Sequence, residues 1–86
     1  MKSAKLSQEL RKRLSQNLTR LRSAQGLSRA GLAARAAVHL RHLEKIEAGE
    51  VNVTIDTITR LARGLGVDSH ELLAKAPKGR RPREPR

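Results

Sequence analysis

The chain has 86 residues, no cysteine, no aromatic residue and a formal net charge of +11. That length allows one small domain with a thin core, and the composition excludes a disulfide scaffold, a thiolate zinc site and the aromatic base-stacking platforms of many single-strand binders. A balance this basic points to nucleic acid ahead of an anionic membrane surface, and no apolar run approaches the roughly 18 residues of a membrane span. The charge is uneven. Residues 1–24 carry seven Lys/Arg and one acid, residues 25–74 carry six of each, and residues 75–86 carry six Lys/Arg and one acid. A balanced middle is therefore flanked by two basic ends. The lack of cysteine and of a signal peptide fits a cytoplasmic, nucleoid-associated protein.

In chain order, Leu6, Leu10, Leu14, Leu18 and Leu21 fall within about 120° of one another on a helical wheel, a single apolar face. Ser7 is a candidate N-cap, and Glu9 stands in the first turn, where an acid suits the helix dipole. Gly26 is the stop, so the first helix is predicted over residues 8–25. Ser28 reads as the N-cap of a short helix from Arg29 to Ala36, in which Ala30, Leu32, Ala33 and Ala36 form an apolar face. A break falls near Ala37 and Val38. The third helix begins at about Leu40 and ends before Gly49, with Leu43 and Ile46 as its apolar residues. The stretch GEVNVT is read as a loop, since no partner strand exists for Val51 and Val53. Thr54 caps a fourth helix with Ile55, Ile58, Leu61, Ala62 and Leu65 on one face. Asp68, with Glu71 three residues on, gives a capping-box pattern for a fifth, anchored by Leu72 and Leu73. From Lys75 the sequence KAPKGRRPREPR holds three Pro and no Leu, Ile or Val. It lacks the apolar surface to offset the entropy of ordering. The reading is thus an all-α, compact five-helix domain over residues 6–75, with a disordered Pro/Arg-rich basic tail over 76–86.

Two short helices joined by a tight turn, the second with outward polar residues, make a helix-turn-helix arrangement at about residues 29–48. LRSAQGLSRAGLAARAAVHLRHLEKIEAG, followed by NVTIDTITRLARGLGVDSHELL, resembles the Cro/C1-type (XRE-like) helix-turn-helix DNA-binding family, over about residues 17–74. The resemblance rests on G-L-S, on L-A in the second helix, on I-E-x-G ending the third and on L-A-x-x-L-G-V before the fifth. It implies a lambda-repressor-like fold. The NVTID loop is closer to the small restriction–modification controllers than to the larger phage repressors. Three residues depart from the family pattern: Arg29 stands where Gln is usual, Ala37 replaces the turn glycine, and Val53 replaces a common proline. A left-handed backbone at Ala37 would cost about 1 kcal/mol.

Glu47 ends the third helix, where a carboxylate opposes the dipole and calls for a partner. The resemblance implies that this partner is Arg22, in a structural ion pair. On the wheel, Arg41, Glu44 and Lys45 lie opposite Leu43 and Ile46. Arg and Lys donate to guanine O6 and N7, and Glu accepts from cytosine N4. Leu40 could touch a thymine methyl, and His39 stands at the N-cap position. The resemblance assigns base reading to His39, Leu40, Arg41, Glu44 and Lys45. For phosphate, the candidates are Arg29, the backbone N–H groups after Ser28, and His42. Taken alone, Arg41, Glu44 and Lys45 would pass for a solvated helix face with i,i+3 and i,i+4 charge pairs. The run Arg11, Lys12, Arg13 and the arginines of the tail would add a sequence-independent attraction to DNA.

No nucleophile–base pattern or Gly-rich phosphate loop appears, and His39 and His42 find no third ligand at metal spacing. Neither an enzyme, a cofactor nor a metal site is expected. The leading expectation is a sequence-specific transcriptional regulator, a repressor or autoregulating controller, acting as a homodimer on a palindromic double-stranded operator. Val51 and Leu73 are candidates for the dimer contact. The alternative is an antitoxin or adaptor of the same fold whose main role is to bind a partner protein.

Overall fold

A computed structural model describes residues 3–75. It contains five helices: α1 (Ser3–Ala24), α2 (Arg29–Ala36), α3 (Leu40–Glu47), α4 (Ile55–Leu65) and α5 (Ser69–Leu73). No strand occurs among the described residues, and GEVNVT is a loop. The predicted tail, 76–86, lies outside the described residues.

Local signals set most helix ends. Ser28 Oγ accepts from the backbone N–H of Gly31 at 2.9 Å, and Thr54 Oγ1 accepts from that of Thr57 at 3.1 Å. Each hydroxyl satisfies a donor that the first helical turn leaves unpaired. At the start of α5 the Glu71 carboxylate reaches back to the Asp68 N–H at 3.4 Å. Gly66 closes α4 at φ 72°, a left-handed backbone that glycine adopts without a Cβ penalty.

The core draws on every helix. Leu14 and Leu18 of α1 meet Leu32, Ala33 and Ala36 of α2, Leu43 and Ile46 of α3, Leu61, Ala62 and Leu65 of α4, and Leu72 of α5. With no aromatic ring to fill space, the helices must approach closely. A Cβ added at Gly64 of α4 would lie 3.2 Å from the Ala36 Cβ and 3.3 Å from its backbone. Small residues on both sides thus let α2 and α4 pack almost backbone to backbone.

Three expectations about α1 and α4 are corrected. The first helix begins at Ser3 rather than near residue 8, and Ser7 lies within it. Ala4, Lys5 and Leu6 are good helix formers, and nothing before Ser7 breaks the helix. Leu6 and Leu10 belong to the apolar face, yet they are 60% and 43% exposed. α1 outruns the helices it packs on, so only its part from Leu14 onward is covered. Ile55 is 80% exposed, while Thr57 is buried in its place. Ile55 sits in the first turn about 120° round the wheel from Leu61, whereas Thr57 lies about 40° from it.

Polar ties join the ends of the chain. The Asn17 side chain, 1% exposed, donates from Nδ2 to the carbonyls of Leu72 and Ala74, each at 2.9 Å. Gln25 Nε2 donates to the Leu65 carbonyl at 2.7 Å. These bonds satisfy C-terminal carbonyls of α5 and α4 that have no partner within their own helices.

Candidate nucleic-acid interface

The turn between α2 and α3 is set by backbone geometry. Ala37 adopts φ 58°, ψ 46°, the left-handed conformation that its departure from glycine makes costly. Ala37 N–H bonds the Ala34 carbonyl at 3.3 Å and Val38 N–H bonds that of Ala33 at 3.0 Å. The chain thereby reverses within two residues, and His39, at φ −63° and ψ 138°, leads into α3 without a side-chain cap bond.

The two faces of α3 are sharply divided. Leu43 and Ile46 are 0% and 1% exposed, which locks the helix onto the core. His39, Leu40, Arg41, Glu44 and Lys45 are all exposed, and His42 is half-buried at the edge. Ion pairs among the described residues join Glu9 to Arg13, Arg22 to Glu47 and Arg29 to Glu47. None of them uses Arg41, Glu44 or Lys45, so the charge pairs of an ordinary solvated helix face are not made. Two cations, one carboxylate and an apolar contact, Leu40, are presented together on a rigid helix.

At the other end of α3, Glu47 gathers two arginines. Arg22 Nε donates to Oε2 at 2.7 Å and its Nη2 to Oε1 at 3.2 Å. Arg29 Nε donates to Oε1 at 2.8 Å. Arg22 also donates from Nη1 to the Leu27 carbonyl at 2.9 Å, so a single side chain ties α1, the entry to α2 and the end of α3. Ser15 Oγ donates to the Glu47 carbonyl at 2.7 Å, pinning the same end to α1. Burial alone would push the Glu47 carboxyl up; the hydrogen bonds and charges of Arg22 and Arg29 outweigh it and hold the group below its ordinary value.

Ser28, the α2 N-cap, is exposed, and Arg29 is the first residue of α2. No acid stands in the first turn of α2 or of α3, so both positive helix ends are uncompensated by their own sequence. A shallow hollow lined by Thr19, Arg29, Glu44, Glu47 and Ala48 connects the Arg29 side chain to the exposed face of α3. The basic run of α1 does not form one patch. Arg11 Nη1 donates to Asn52 Oδ1 at 2.7 Å, Arg13 turns to Glu9 and the Leu73 carbonyl, and Lys12 is exposed. Val51 and Leu73 are half-buried against the core rather than projecting from it. No group of three or more His, Asp or Glu among the described residues is placed to hold a metal ion, and no helix there is long and apolar enough to cross a membrane.

Sequence reasoning missed the second partner of Glu47 and the roles of Ser15, Asn17 and Gln25. Asn17 carried a usable signal. It is three residues after Leu14 and four before Leu21, a polar group on an apolar face, and such a group must find buried partners.

Residues 13–75 match a helix-turn-helix domain family. The chain is 35% identical over 65 residues to an HTH-type transcriptional regulator of Sinorhizobium fredii, an overlap of 76% of this chain and 84% of that one. Among solved structures it is similar to the restriction-modification controller protein C.AhdI from Aeromonas hydrophila, with a TM-score of 0.70 and 32% identity over 72% of this chain and 94% of that one. It is also similar to an HTH_3 family transcriptional regulator from Vibrio cholerae, with a TM-score of 0.74 and 29% identity over 77% of this chain and 37% of the other. With the helix-turn-helix geometry in place and the family match spanning most of its length, the chain belongs to the helix-turn-helix domain family, in its Cro/C1-type (XRE-like) group of transcriptional regulators.

Proposed function

We propose that this protein is a sequence-specific regulator of transcription that binds double-stranded DNA by inserting α3 into the major groove. It is a binding module rather than an enzyme, and it works in the cytoplasm on the nucleoid. The observation that carries the reading is the divided α3: one face locked by Leu43 and Ile46, the other presenting Arg41, Glu44 and Lys45 with no ion-pair partner among the described residues. His39 and Leu40 stand at the leading end of the helix and complete the base-reading set. The phosphate contacts fall to Arg29, to the backbone N–H groups after Ser28 and to His42.

One such module reads only a few base pairs, so the reading requires a homodimer on a palindromic operator with half-sites about 10 bp apart. Self-association needs apolar surface. Leu10 and Leu73 line a groove with Leu14, Val53 and Ile58, and the exposed Leu6 and Ile55 add apolar area to α1 and α4. Leu73 therefore stays in the proposed contact, with Leu10 and Ile55 better exposed for it than Val51. The controller among the similar structures, overlapped over 94% of its length, supports a repressor or autoregulating controller role. The same groove would serve a partner protein if the chain acted as an antitoxin or adaptor.

Selection from a random duplex pool at near-physiological salt tests the function. A two-fold symmetric consensus, lost in the Arg41→Ala, Lys45→Ala variant, is the expected result. Binding without any enriched sequence would sink the specific-regulator reading and shift attention to a protein partner. Sedimentation of the purified chain, alone and as Ile55→Asp, separates a homodimer from a monomer awaiting that partner.

A further inference from the structure

Arg22 and Arg29 hold the same carboxylate in different ways. The Arg22 side chain is 12% exposed and grips Glu47 through two nitrogens, as a structural ion pair does. Arg29 is 53% exposed and uses Nε alone. Glu47 is buried, at 5% exposed, but the half-exposed Arg29 is solvated whether or not it pairs, so its contribution to stability is small beside that of Arg22. Arg29 also stands as a cation at the positive end of α2, which by itself disfavours the helix. Fold stability therefore gives a weak account of the Arg29–Glu47 bond.

Guanidinium geometry gives a stronger one. The group is planar and has five donors, and bonding through Nε leaves both terminal amines for an oxyanion. A free arginine side chain loses considerable rotamer freedom when it binds; one already fixed at Nε has lost much of it. Beside it, Gly31 N–H is taken by Ser28 Oγ, while the first-turn N–H groups of Arg29 and Ala30 have no partner within the helix. The hollow that holds Arg29 also holds Glu44, one turn before Glu47 on α3.

We infer that Glu47 is a positioning residue for DNA recognition: it fixes Arg29 so that its terminal amines, with the α2 N-terminus, clamp one backbone phosphate in register with the α3 reading face. The inference rests on the DNA-binding reading above. Its content is that the reading helix itself, through its last residue, sets where the phosphate-gripping arginine stands.

The test is a double-mutant cycle on the duplex that this protein enriches from a random pool, with a random-sequence duplex of equal length as the second probe. Arg29→Gln and Glu47→Gln are each expected to weaken binding to the enriched duplex about tenfold, the scale of one charge-assisted contact. The double variant should be no weaker than Arg29→Gln alone, because Glu47 acts through Arg29. Arg29→Lys keeps the charge but not the fork, and should recover little. In a methylphosphonate scan, neutralising one particular phosphate should weaken the parent and leave both single variants unaffected. Circular dichroism at the assay temperature establishes that each variant is folded; Glu47→Asp, which keeps the charge and withdraws it by one methylene, replaces Glu47→Gln if that chain does not fold. Additive losses would overturn the inference, since Glu47 would then act through the fold alone. Unchanged or tighter binding by Glu47→Gln would overturn it in the opposite sense, as Arg29 would be held away from DNA. Enrichment of a duplex whose binding ignores Arg29→Gln defeats this inference only; failure to bind either duplex defeats the DNA reading with it.

Discussion

Ala37 combines an alanine side chain with a left-handed backbone, φ 58°, at a position exposed to solvent. A Cβ in that conformation crowds the following carbonyl, and here it gains no packing in return. Ala37→Gly is therefore expected to stabilise the fold by about 1 kcal/mol, raising Tm by roughly 4–8 °C in a domain of this size. Urea and thermal unfolding check it, and a loss of stability would mean that the Ala37 methyl is packed. Glu47 is the second residue whose energetics can be read directly. Its carboxyl lies below the ordinary 4.5 when folded, so it stabilises the fold above about pH 4.5 and loses that contribution as pH falls through the folded value. Removing one partner of a buried pair costs about 3 kcal/mol. Glu47→Gln should show that deficit at pH 7 and hold it down to about pH 5, and the gap to the parent should then close on further acidification. A constant gap through acid would contradict the pairing. Of the site, the exposed set on α3 was legible from Leu43 and Ile46 alone, since two buried positions orient a short helix. The Arg29–Glu47 bond was not legible. It joins residues 18 apart through the tertiary placement of the α2 start over the α3 end, and no local pattern carries that.

At the scale of helices, most ends were legible, the start of α1 excepted, and the extent of coverage was not. Ser28, Thr54 and Gly26 act on the backbone within a turn of themselves, so their effect depends on little else. The exposure of Leu6, Leu10 and Ile55 depends on how far neighbouring helices reach, which periodicity does not encode. α5 shows the same limit from the other side. It is five residues long, far too short to hold itself together in water. What secures it is Leu72 in the core and the Asn17 amide on the carbonyls of Leu72 and Ala74. Asn17→Ala would remove both bonds and leave the buried Leu72 carbonyl unsatisfied, a loss of about 2–3 kcal/mol. The cost should concentrate in α5. Hydrogen exchange is expected to rise first over residues 69–73, with α2 and α3 still protected. Uniform loss of protection would mean that α5 folds and unfolds with the whole domain.

Over the whole molecule, the proposed function gives attraction and reading to different parts of the chain. Residues 25–74, which include α2 and α3, balance six Lys/Arg against six acids. The excess positive charge comes from the two ends. Opposite sign at the DNA surface draws such a chain to any duplex, and each Lys or Arg that meets a phosphate releases counterions and steepens the salt dependence of binding. Reading sequence requires contacts to base edges, which the proposed function assigns to α3. The two terms are therefore separable by deletion. Residues 76–86 hold five Lys/Arg and one acid. Removing them should make the slope of log affinity against log salt shallower, by up to about 4.5 if all five meet phosphates, while the selected consensus stays the same. A shallower slope with the same consensus would divide the labour as argued: the C-terminal charge would hold the protein on DNA, and α3 would choose where. A changed consensus would make the segment a reader in its own right, reaching bases as well as backbone. An unchanged slope would remove residues 76–86 from the interface altogether and leave the attraction to the first basic segment, where Lys12 is exposed beside the end of α3.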